Sequence, residues 1–256
     1  MLEKAVLADA ATTLDGVLDN RIKLEQPASG YRVAIDTVLL ASAVPARAGE
    51  KIIDLGCGVG GALLCLAARV PGIAVTGAEI RNEFRRLCRD NIVRNKLNAD
   101  LSVQPGDATK LAPALAGRFD HAMMNPPYHE EARHDVSAHA QRRAANTEKD
   151  GDLARWIANA ARTLKPSGVL TFIHRADRLD EILDVLKKDF GAIEILPILS
   201  KAGALPKRVI LRARKGGEKA LIRCCDFVLH QPDGRYTDEA ETILRHRKAL
   251  EFMHKE

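Results

Sequence analysis

Apolar residues follow two alternating patterns along most of the chain. Short apolar runs of strand length are separated by longer segments in which apolar positions recur at the spacing of a helix. The predicted strands cover residues 51–55, 74–78, 101–104, 121–124 and 169–174. The helices that alternate with them cover residues 62–70, 82–95, 153–164 and 178–190. This alternation is typical of an α/β fold in which helices cover both faces of a mostly parallel sheet.

The two ends of the chain depart from this alternation. Between residues 14 and 24, apolar and polar residues partly alternate around the turn-forming pair Asp19 and Asn20, which predicts a hairpin. We expect residues 1–30 to form this N-terminal flap and residues 31–256 to form one larger domain. The later strands are predicted at residues 193–199, 208–214 and 221–229, so the sheet should end in antiparallel strands.

Two predicted helices contain residues that we expect in the protein interior. Residues 35–44 are apolar around most of a helix surface, so we expect a buried helix that Asp36 caps and Pro45 closes. Trp156 lies at helical spacing with Leu153 and Ala160, which indicates core packing.

The composition is that of a globular protein without export or membrane signals. The 256 residues are 46% hydrophobic, which is enough for one substantial core. No apolar stretch approaches the roughly 18 residues of a membrane span, and the N-terminus lacks the pattern of a signal peptide. We therefore expect a cytoplasmic protein without membrane contact. The net charge of +5 is a modest excess, which attracts a polyanion only where it is clustered.

The spacing of cysteine and histidine predicts no metal site. The five cysteines lack paired metal-ligand spacing, and their odd number argues against a disulfide framework. His129, His134 and His139 recur at intervals of five, which does not place them on one helix face. Cys224 and Cys225 are expected to alternate between the two faces of a strand, with no redox role.

A glycine-rich loop follows the strand at residues 51–55 and opens a helix. In the segment Asp54-Leu55-Gly56-Cys57-Gly58-Val59-Gly60-Gly61, glycines let a nucleotide-like ligand approach the backbone. Glu79 follows roughly 20 residues later, after a strand, where a carboxylate accepts hydrogen bonds from ribose hydroxyls. The glycines also match the dinucleotide fingerprint, so NAD remains open as the ligand.

Two further carboxylates bear on the identity of this ligand. Asp54 favours S-adenosylmethionine, because a carboxylate beside the loop repels a pyrophosphate but attracts an ammonium and a nearby sulfonium. Asp107 follows the strand at residues 101–104 and offers an acceptor for an adenine amino group. A glycine turn with an ordinary capping aspartate is the alternative interpretation.

The tetrapeptide Asn125-Pro126-Pro127-Tyr128 follows the strand at residues 121–124, at the sheet edge where open α/β sheets bind ligands. The amide oxygen of Asn125 and the carbonyl of Pro126 can each accept one N–H of an acceptor amine, which localises the nitrogen lone pair for attack on a methyl group. The prolines keep the loop rigid, and Tyr128 offers a ring for stacking. The alternative is a proline-rich turn with a packed aromatic residue.

Basic residues in two segments are candidates for contact with a nucleic acid. Period-two alternation places Arg208, Arg212 and Arg214 on one strand face, with Lys207 beside them. The loop after Tyr128 adds basic residues, among them Arg142 and Arg143. The alternative is a solvated edge strand and a polar loop.

The chain resembles bacterial class I methyltransferases of the tRNA1(Val) adenine-37 N6-methyltransferase family. The resemblance runs over nearly the whole chain. It rests on the motifs Gly30-Tyr31-Arg32-Val33-Ala34-Ile35-Asp36, Asp54-Leu55-Gly56-Cys57-Gly58, Asn125-Pro126-Pro127-Tyr128, Leu164-Lys165-Pro166, Ile173-His174-Arg175-Ala176, Arg208-Val209-Ile210-Leu211 and Asp233-Gly234-Arg235-Tyr236-Thr237. It implies a Rossmann-like, seven-stranded catalytic domain with S-adenosylmethionine as donor and with Arg32 and Asp36 close to the donor pocket.

On this basis we expect adenine in a transfer RNA as the acceptor and no obligate protein partner. The residues expected to hold the donor are Arg32, Asp36, Asp54, Gly56, Cys57, Gly58, Gly60, Glu79, Ile80, Asp107, Ala108 and Asn125. The open alternatives are a protein glutamine methyltransferase, an enzyme for amino groups of ribosomal guanine or DNA adenine, and a nucleotide-binding module without catalysis. The glutamine alternative is less favoured because the sequence shows no separate N-terminal helical domain that would grip a release factor.

Overall fold

The computed structural model describes residues 11–29, 32–127, 129–130, 147–148 and 151–254, with backbone only for the two short middle segments. The predicted N-terminal hairpin is confirmed. Its strands β1 (Thr12–Val17) and β2 (Ile22–Pro27) are antiparallel. Leu18, Asp19 and Asn20 all have positive φ in the turn, a conformation that Asn and Asp tolerate better than most residues.

Nine strands form the central sheet. They are β3 (Lys51–Leu55), β4 (Ala74–Glu79), β5 (Asp100–Pro105), β6 (Phe119–Met124), β9 (Leu164–Arg175), β10 (Phe190–Lys201), β11 (Arg208–Lys215), β12 (Leu221–Arg223) and β13 (Phe227–His230). The order is β5-β4-β3-β6-β9-β11-β10, with β12 and β13 both along the outer edge of β10. Two further strands, β7 (His129–Glu130) and β8 (Thr147–Glu148), form a separate two-stranded parallel sheet.

The predicted seven-stranded, mostly parallel sheet is confirmed, and the two short edge strands extend it. Strands β3, β4, β5, β6 and β9 are parallel, whereas β11 is antiparallel to both of its neighbours. The prediction is wrong for the last strand, at residues 221–229. It is broken into β12 and β13, which both run parallel to β10.

Six α-helices and two short 3-10 helices, Pro113–Leu115 and Ala176–Arg178, are present in the described part of the chain. The α-helices are α1 (Ile35–Ala43), α2 (Gly61–Arg69), α3 (Asn82–Asn95), α4 (Asp152–Thr163), α5 (Leu179–Leu186) and α6 (Asp238–His246). None of the helices in these ranges has the length and apolar content needed to cross a bilayer.

Three details of the helices differ from the prediction. Asp36 does not cap α1, because its side chain binds Arg208 instead. Helix α5 stops at Leu186, and Phe190 already begins β10. Helix α6 was not predicted, although Thr237 caps it by accepting a hydrogen bond from the Ala240 backbone and acidic residues occupy its first turn.

The sheet separates two apolar cores. Ile52 contributes to the core with α1, α2, α6 and the hairpin, whereas its neighbour Ile53 contributes to the core with α4 and α5. Both isoleucines are fully buried, because successive side chains of a parallel strand covered on both faces point into different helix layers. The continuous apolar strands of the sequence thus follow from the three-layer arrangement.

The hairpin is fastened to α3 through asparagine side chains. The Asn91 amide oxygen accepts from the Glu25 backbone N–H (2.8 Å), and its Nδ2 donates to the carbonyls of Glu25 (2.9 Å) and Val59 (3.0 Å). Asn95 repeats this pattern with both backbone groups of Lys23. The free edge of β2 is therefore satisfied by side chains instead of a further strand. Because Val59 lies in the glycine-rich loop, Asn91 also ties that loop to the hairpin.

We expect Asn91→Ala to lower the free energy of unfolding by about 2–3 kcal/mol, because it leaves buried backbone groups without partners. Asn95→Ala is the matched control. It removes hydrogen bonds to the same strand at a partly exposed position, where water replaces them, and should cost less than about 1 kcal/mol. Urea unfolding of both variants measures the difference, and equal losses would contradict the role given to Asn91.

Candidate active site

A cleft lies where β3 and β6 end, at the position where the strand order changes direction. This is the switch point at which open α/β sheets bind their ligands. The cleft has a volume of about 340 Å³, part of which is open to solvent. Its lining residues are Val33, Thr37, Leu40, Asp54, Gly56, Cys57, Val59, Gly61, Ala62 and Asn125.

The glycine-rich loop forms one wall of this cleft. Gly56, Gly58 and Gly60 all have positive φ, which lets the chain turn sharply between β3 and α2. The backbone N–H of Gly56 donates to the Ala78 carbonyl at 2.8 Å, so the loop is anchored to the end of β4. The predicted loop thus lies between strand and helix, with its backbone exposed to the cleft.

Asp54 is the most perturbed carboxyl group of the cleft. Its side chain is 2% exposed, it receives a hydrogen bond from the Leu63 backbone, and its Oδ2 is buried without a hydrogen-bond partner. Burial, together with the nearby charge of Glu79, raises the pKa of Asp54 to about 8. A buried oxygen without a partner is costly, and a cationic ligand group in the cleft would satisfy it. The residues present therefore fit the ammonium and sulfonium groups of S-adenosylmethionine.

Glu79 holds the loop in place from the end of β4. One carboxylate oxygen accepts from the Gly58 N–H (3.0 Å) and the other from the Arg81 N–H (2.9 Å). Each oxygen retains a second lone pair, so the expected contact with ribose hydroxyls stays compatible with these bonds. The next residue, Ile80, is 62% exposed beside this carboxylate.

Asp107 and Ala108 lie just beyond β5, next to the end of β4. The Gly106 N–H donates to the Glu79 carbonyl, which joins the two strand ends. Asp107 Oδ1 accepts from the N–H (2.8 Å) and hydroxyl (2.7 Å) of Thr109, so this oxygen stabilises a turn. Ala108 is buried. Contact of Asp107 with an adenine remains a prediction for its other oxygen.

Asn125, Pro126 and Pro127 directly follow β6. Asn125 is half-buried and lines the cleft together with Asp54, and Pro126 is buried. Leu55 pairs with Met124 in the parallel β3–β6 ladder, so Gly56 and Asn125 leave the sheet side by side. Tyr128, Arg142 and Arg143 lie outside the described residues.

Arg32 and Asp36 flank the cleft but bind groups of the chain itself. The Arg32 guanidinium pairs with Asp15 of the hairpin at 2.7 Å. Asp36 pairs with Arg208, and its pKa is raised by burial, although Arg208 acts in the opposite direction. Val33 and Thr37, one residue further along from each, line the cleft instead.

The expectation of one open basic strip along β11 is wrong, because α1 and residues near Leu250 cover this face. Arg212 donates to the carbonyls of Ala43 (2.7 Å) and Leu250 (3.2 Å) and stacks on the Phe252 ring at 3.7 Å. Burial lowers its pKa to about 10. Strand β11 is also an interior strand, so the alternative of a solvated edge is equally wrong. Lys207 and Arg214 are exposed, at opposite ends of β11.

Trp156 has a contact that the sequence did not indicate. It packs against the core with α4 and α5, as predicted, but its ring also lies directly over Gly56. A Cβ added to Gly56 would be 2.5 Å from the ring. Helix α4, which follows the segment after Asn125, therefore contacts the glycine-rich loop through this ring.

We expect Gly56→Ala to lower the free energy of unfolding by at least about 3 kcal/mol, because a positive φ and displacement of the Trp156 ring are combined. Gly49→Ala is the matched control. Gly49 also has a positive φ (+87°), but no atom lies within 4 Å of an added Cβ, so only the backbone cost of about 1–2 kcal/mol applies. Chemical denaturation followed by circular dichroism compares the two, and similar losses would show that the ring contact is unimportant.

Comparison with known proteins agrees with this geometry. A family model described as "Methyltransferase small domain" matches residues 28–201. The chain is 26% identical over 221 residues to a tRNA1(Val) (adenine(37)-N6)-methyltransferase of Dickeya chrysanthemi, covering 84% of this chain and 86% of that protein. It is 29% identical over 171 residues to a release factor glutamine methyltransferase of Chlorobaculum tepidum, covering 64% of this chain and 58% of that protein.

A solved structure also matches this chain and is likewise described as a methyltransferase. The crystal structure of an Agrobacterium tumefaciens protein described as a predicted O-methyltransferase superimposes with a TM-score of 0.71 at 27% identity, covering 84% of this chain and 98% of the other. Together with the buried carboxylate of Asp54, these matches favour S-adenosylmethionine over NAD, the other ligand that the glycine pattern left open. The chain belongs to the methyltransferase small domain family, and it is an enzyme that uses S-adenosylmethionine as its methyl donor.

Proposed function

We propose that this enzyme methylates the exocyclic N6 amino group of an adenine in a transfer RNA. The observation that carries the proposal is the pairing of Leu55 with Met124, which sets the glycine-rich loop and Asn125 side by side in one cleft. A donor-binding wall and an amine-orienting group therefore lie next to each other. The tRNA-modifying relative from Dickeya chrysanthemi, which aligns along most of both chains, supports adenine N6 as the acceptor.

The donor side of the cleft is assigned to the residues around β3 and β4. Asp54 would pair with the donor's cationic groups, the loop backbone from Gly56 to Gly60 would lie along the ligand, and Glu79 would hold its ribose. Bound S-adenosylmethionine supplies an electrophilic methyl group on a sulfonium. Ile80, Asp107 and Ala108 are assigned to the adenine end, because they lie at the ends of β4 and β5 beside Glu79.

The acceptor side is assigned to the residues after β6. An adenine amino group is a poor nucleophile, because its lone pair is delocalised into the ring. Asn125 Oδ1 and the Pro126 carbonyl would each accept one of its N–H bonds, which concentrates the lone pair on nitrogen and aims it at the methyl group. The nitrogen would gain the methyl group as the sulfur–methyl bond breaks, with that electron pair returning to sulfur, and it would then release one proton to solvent. Pro127 and Tyr128 complete the proposed acceptor site, with the Tyr128 ring as a stacking surface.

Among the basic residues on and beside β11, Lys207, which directly precedes the strand, is best placed for the tRNA backbone. Its carbonyl accepts from the Ala176 N–H just beyond β9, so it lies at the same sheet edge as Asn125. Arg214 lies seven residues further on, roughly 23 Å along the strand at 3.3 Å per residue, at the opposite edge. We therefore assign phosphate contact to Lys207, with Arg142 and Arg143 as further candidates. Because transfer RNA is found in the cytoplasm, we expect the enzyme to act there.

A protein glutamine side chain is the second candidate acceptor. Its amide nitrogen is also deactivated by conjugation, so the same pair of acceptors would serve it. The match to the release factor glutamine methyltransferase favours this candidate, but that alignment covers only 58% of the relative.

The test is methyl transfer from labelled S-adenosylmethionine to unmodified total tRNA, followed by nucleoside digestion and mass spectrometry. Release factor, ribosomal RNA and DNA are parallel acceptors. We expect N6-methyladenosine in tRNA. Label found only in another acceptor would overturn the proposed substrate, and no transfer to any of them would overturn the proposed activity.

We expect Asn125→Ala to reduce kcat at least about 100-fold, because one of the two groups that orient the amine is lost. The Kd for S-adenosylmethionine should change less than tenfold, since Asp54 and the loop are intact. Asn98→Ala is the control, because Asn98 is exposed in the segment before β5, at the sheet edge opposite the cleft, and the kcat of this variant should match wild type. A normal kcat in Asn125→Ala would remove Asn125 from the mechanism.

We expect S-adenosylmethionine to bind more tightly as pH rises from about 6 to about 8. Without ligand, Asp54 is mostly protonated below its pKa of about 8, whereas the cationic ligand requires the ionised form. Each pH unit in this range should strengthen binding by up to about tenfold. The single tryptophan, Trp156, reports binding by fluorescence from its position over Gly56.

The matched variant for this pH dependence is Asp54→Asn, which mimics the protonated carboxyl. The donor's amino group also titrates in this range, so the difference between wild type and Asp54→Asn isolates the contribution of Asp54. We expect weaker binding in the variant and loss of the rise with pH. Parallel pH profiles of the two proteins would contradict the assignment.

A further inference from the structure

Three possible metal ligands converge at the edge of the sheet, well away from the methyl-transfer cleft. Glu194 lies on β10, Cys224 directly follows β12, and His254 comes from the segment after α6. Three strand spacings, about 14 Å, separate β10 from β6, which carries Asn125. Consecutive members of this group are 30 positions apart, so the short-range spacing of metal motifs gave no sign of it.

We propose that Glu194, Cys224 and His254 bind one divalent transition-metal ion of the zinc class. Their ligand atoms all lie within 4.8 Å of one another, and Glu194 Oε1 is 3.0 Å from His254 Nε2. In a tetrahedral zinc site with bonds of about 2.0–2.3 Å, ligand atoms are roughly 3.3–3.8 Å apart. Adjustments of about 1 Å complete the geometry, and the half-exposed His254 side chain can make them.

The backbone already holds the three residues in register. The Cys224 N–H donates to the Ile195 carbonyl (2.8 Å), and Cys224 forms an isolated antiparallel bridge with His254. The Cys225 N–H donates to the Met253 carbonyl at 2.7 Å. A ligand set on three fixed segments is partly preorganised, so little chain entropy is lost when the ion binds.

The chemistry of the group selects among cations. Sulfur, imidazole nitrogen and one carboxylate oxygen match Zn²⁺ and Co²⁺ rather than Mg²⁺ or Ca²⁺, which take oxygen ligands. Burial raises the pKa of the Cys224 thiol to about 11, and an ion must displace this proton on binding. The thiolate and the Glu194 carboxylate together balance the charge of the ion, and the fourth position is left for water.

Arg212 is the nearby cation that this site must accommodate. It is the cross-strand neighbour of Glu194, but its guanidinium is held by the Ala43 and Leu250 carbonyls. The ion pair of Glu194 in the described part of the chain is instead with His254. An ion shared by Glu194 and His254 would therefore replace this pair without disturbing the contacts of Arg212.

Metal binding would fasten the segment after α6 to the sheet edge. In that segment Phe252 packs against Arg212, and the Leu250 N–H donates a hydrogen bond to the Ser42 carbonyl of α1 (2.9 Å). The proposed ion is thus structural, and it stabilises the packing of α1 from behind the cleft.

The test is titration of the full-length protein with CoCl2, since a thiolate–Co²⁺ bond gives a charge-transfer band in the near ultraviolet. We expect a band that saturates at one equivalent in wild type and in the control Cys225→Ala. Cys224→Ala should abolish it, and His254→Ala, at an exposed position that leaves the fold intact, should weaken binding at least tenfold. No saturable band, or a band that persists in Cys224→Ala, would overturn the site.

A thermal measurement follows the same variants. One equivalent of ZnCl2 should raise the Tm of wild type and Cys225→Ala, and raise that of His254→Ala by clearly less. An equal rise in His254→Ala would overturn the site as well. Methyl transfer is measured separately, because the proposed ion takes no part in it.

Discussion

The architecture of the cleft depends on two carboxyl groups buried close together. Burial of carboxylates is costly, and this protein deals with each of them differently. Glu79 is satisfied by backbone N–H groups of the glycine-rich loop and of the turn after β4, so its charge fixes the shape of the loop. Asp54 has one buried oxygen without a hydrogen-bond partner, and the cost of burying its charge raises the pKa of this carboxyl. Glu79 therefore determines the shape of the cleft, whereas Asp54 leaves in it a buried oxygen that a cationic ligand would satisfy.

The residues of the donor side follow β3 and those of the acceptor side follow β6. These two strands are hydrogen-bonded to each other. In a parallel pair, residues in register reach the same sheet edge together, so the pairing of Leu55 with Met124 determines the separation of Gly56 from Asn125. Trp156 adds a third element, because it rests on Gly56 from the helix that follows the acceptor segment. On the other side, Asn91 joins the loop to the hairpin through Val59. Four separate parts of the chain thus determine the position of one short loop.

The sequence predicted those features that depend on neighbouring residues. Burial on both faces makes the strands apolar throughout, glycines mark the loop after β3, and Asp19-Asn20 marks the hairpin turn. The wrong predictions concern side chains whose hydrogen-bond partners are far away in the sequence. Arg212 looked like part of an open basic strip because the carbonyls that bind it belong to Ala43 and Leu250, far away in the chain. The role of Asp36 was missed for the same reason, since its partner Arg208 lies on the last interior strand.

Strand β11 lies between β9 and β10 although it follows both of them in the chain. During synthesis, a chain that has emerged only as far as β10 exposes two unpaired strand edges, which face the same gap. One strand, β11, fills both at once in the reverse direction, through its ladders with β9 and β10. Unpaired strand edges can pair with other chains, so we expect a chain that ends at β10 to aggregate more readily than the finished protein. The seven-stranded part of the sheet that supports the cleft is complete only once β11 is available, and the short strands β12 and β13 then pair along the outer edge of β10.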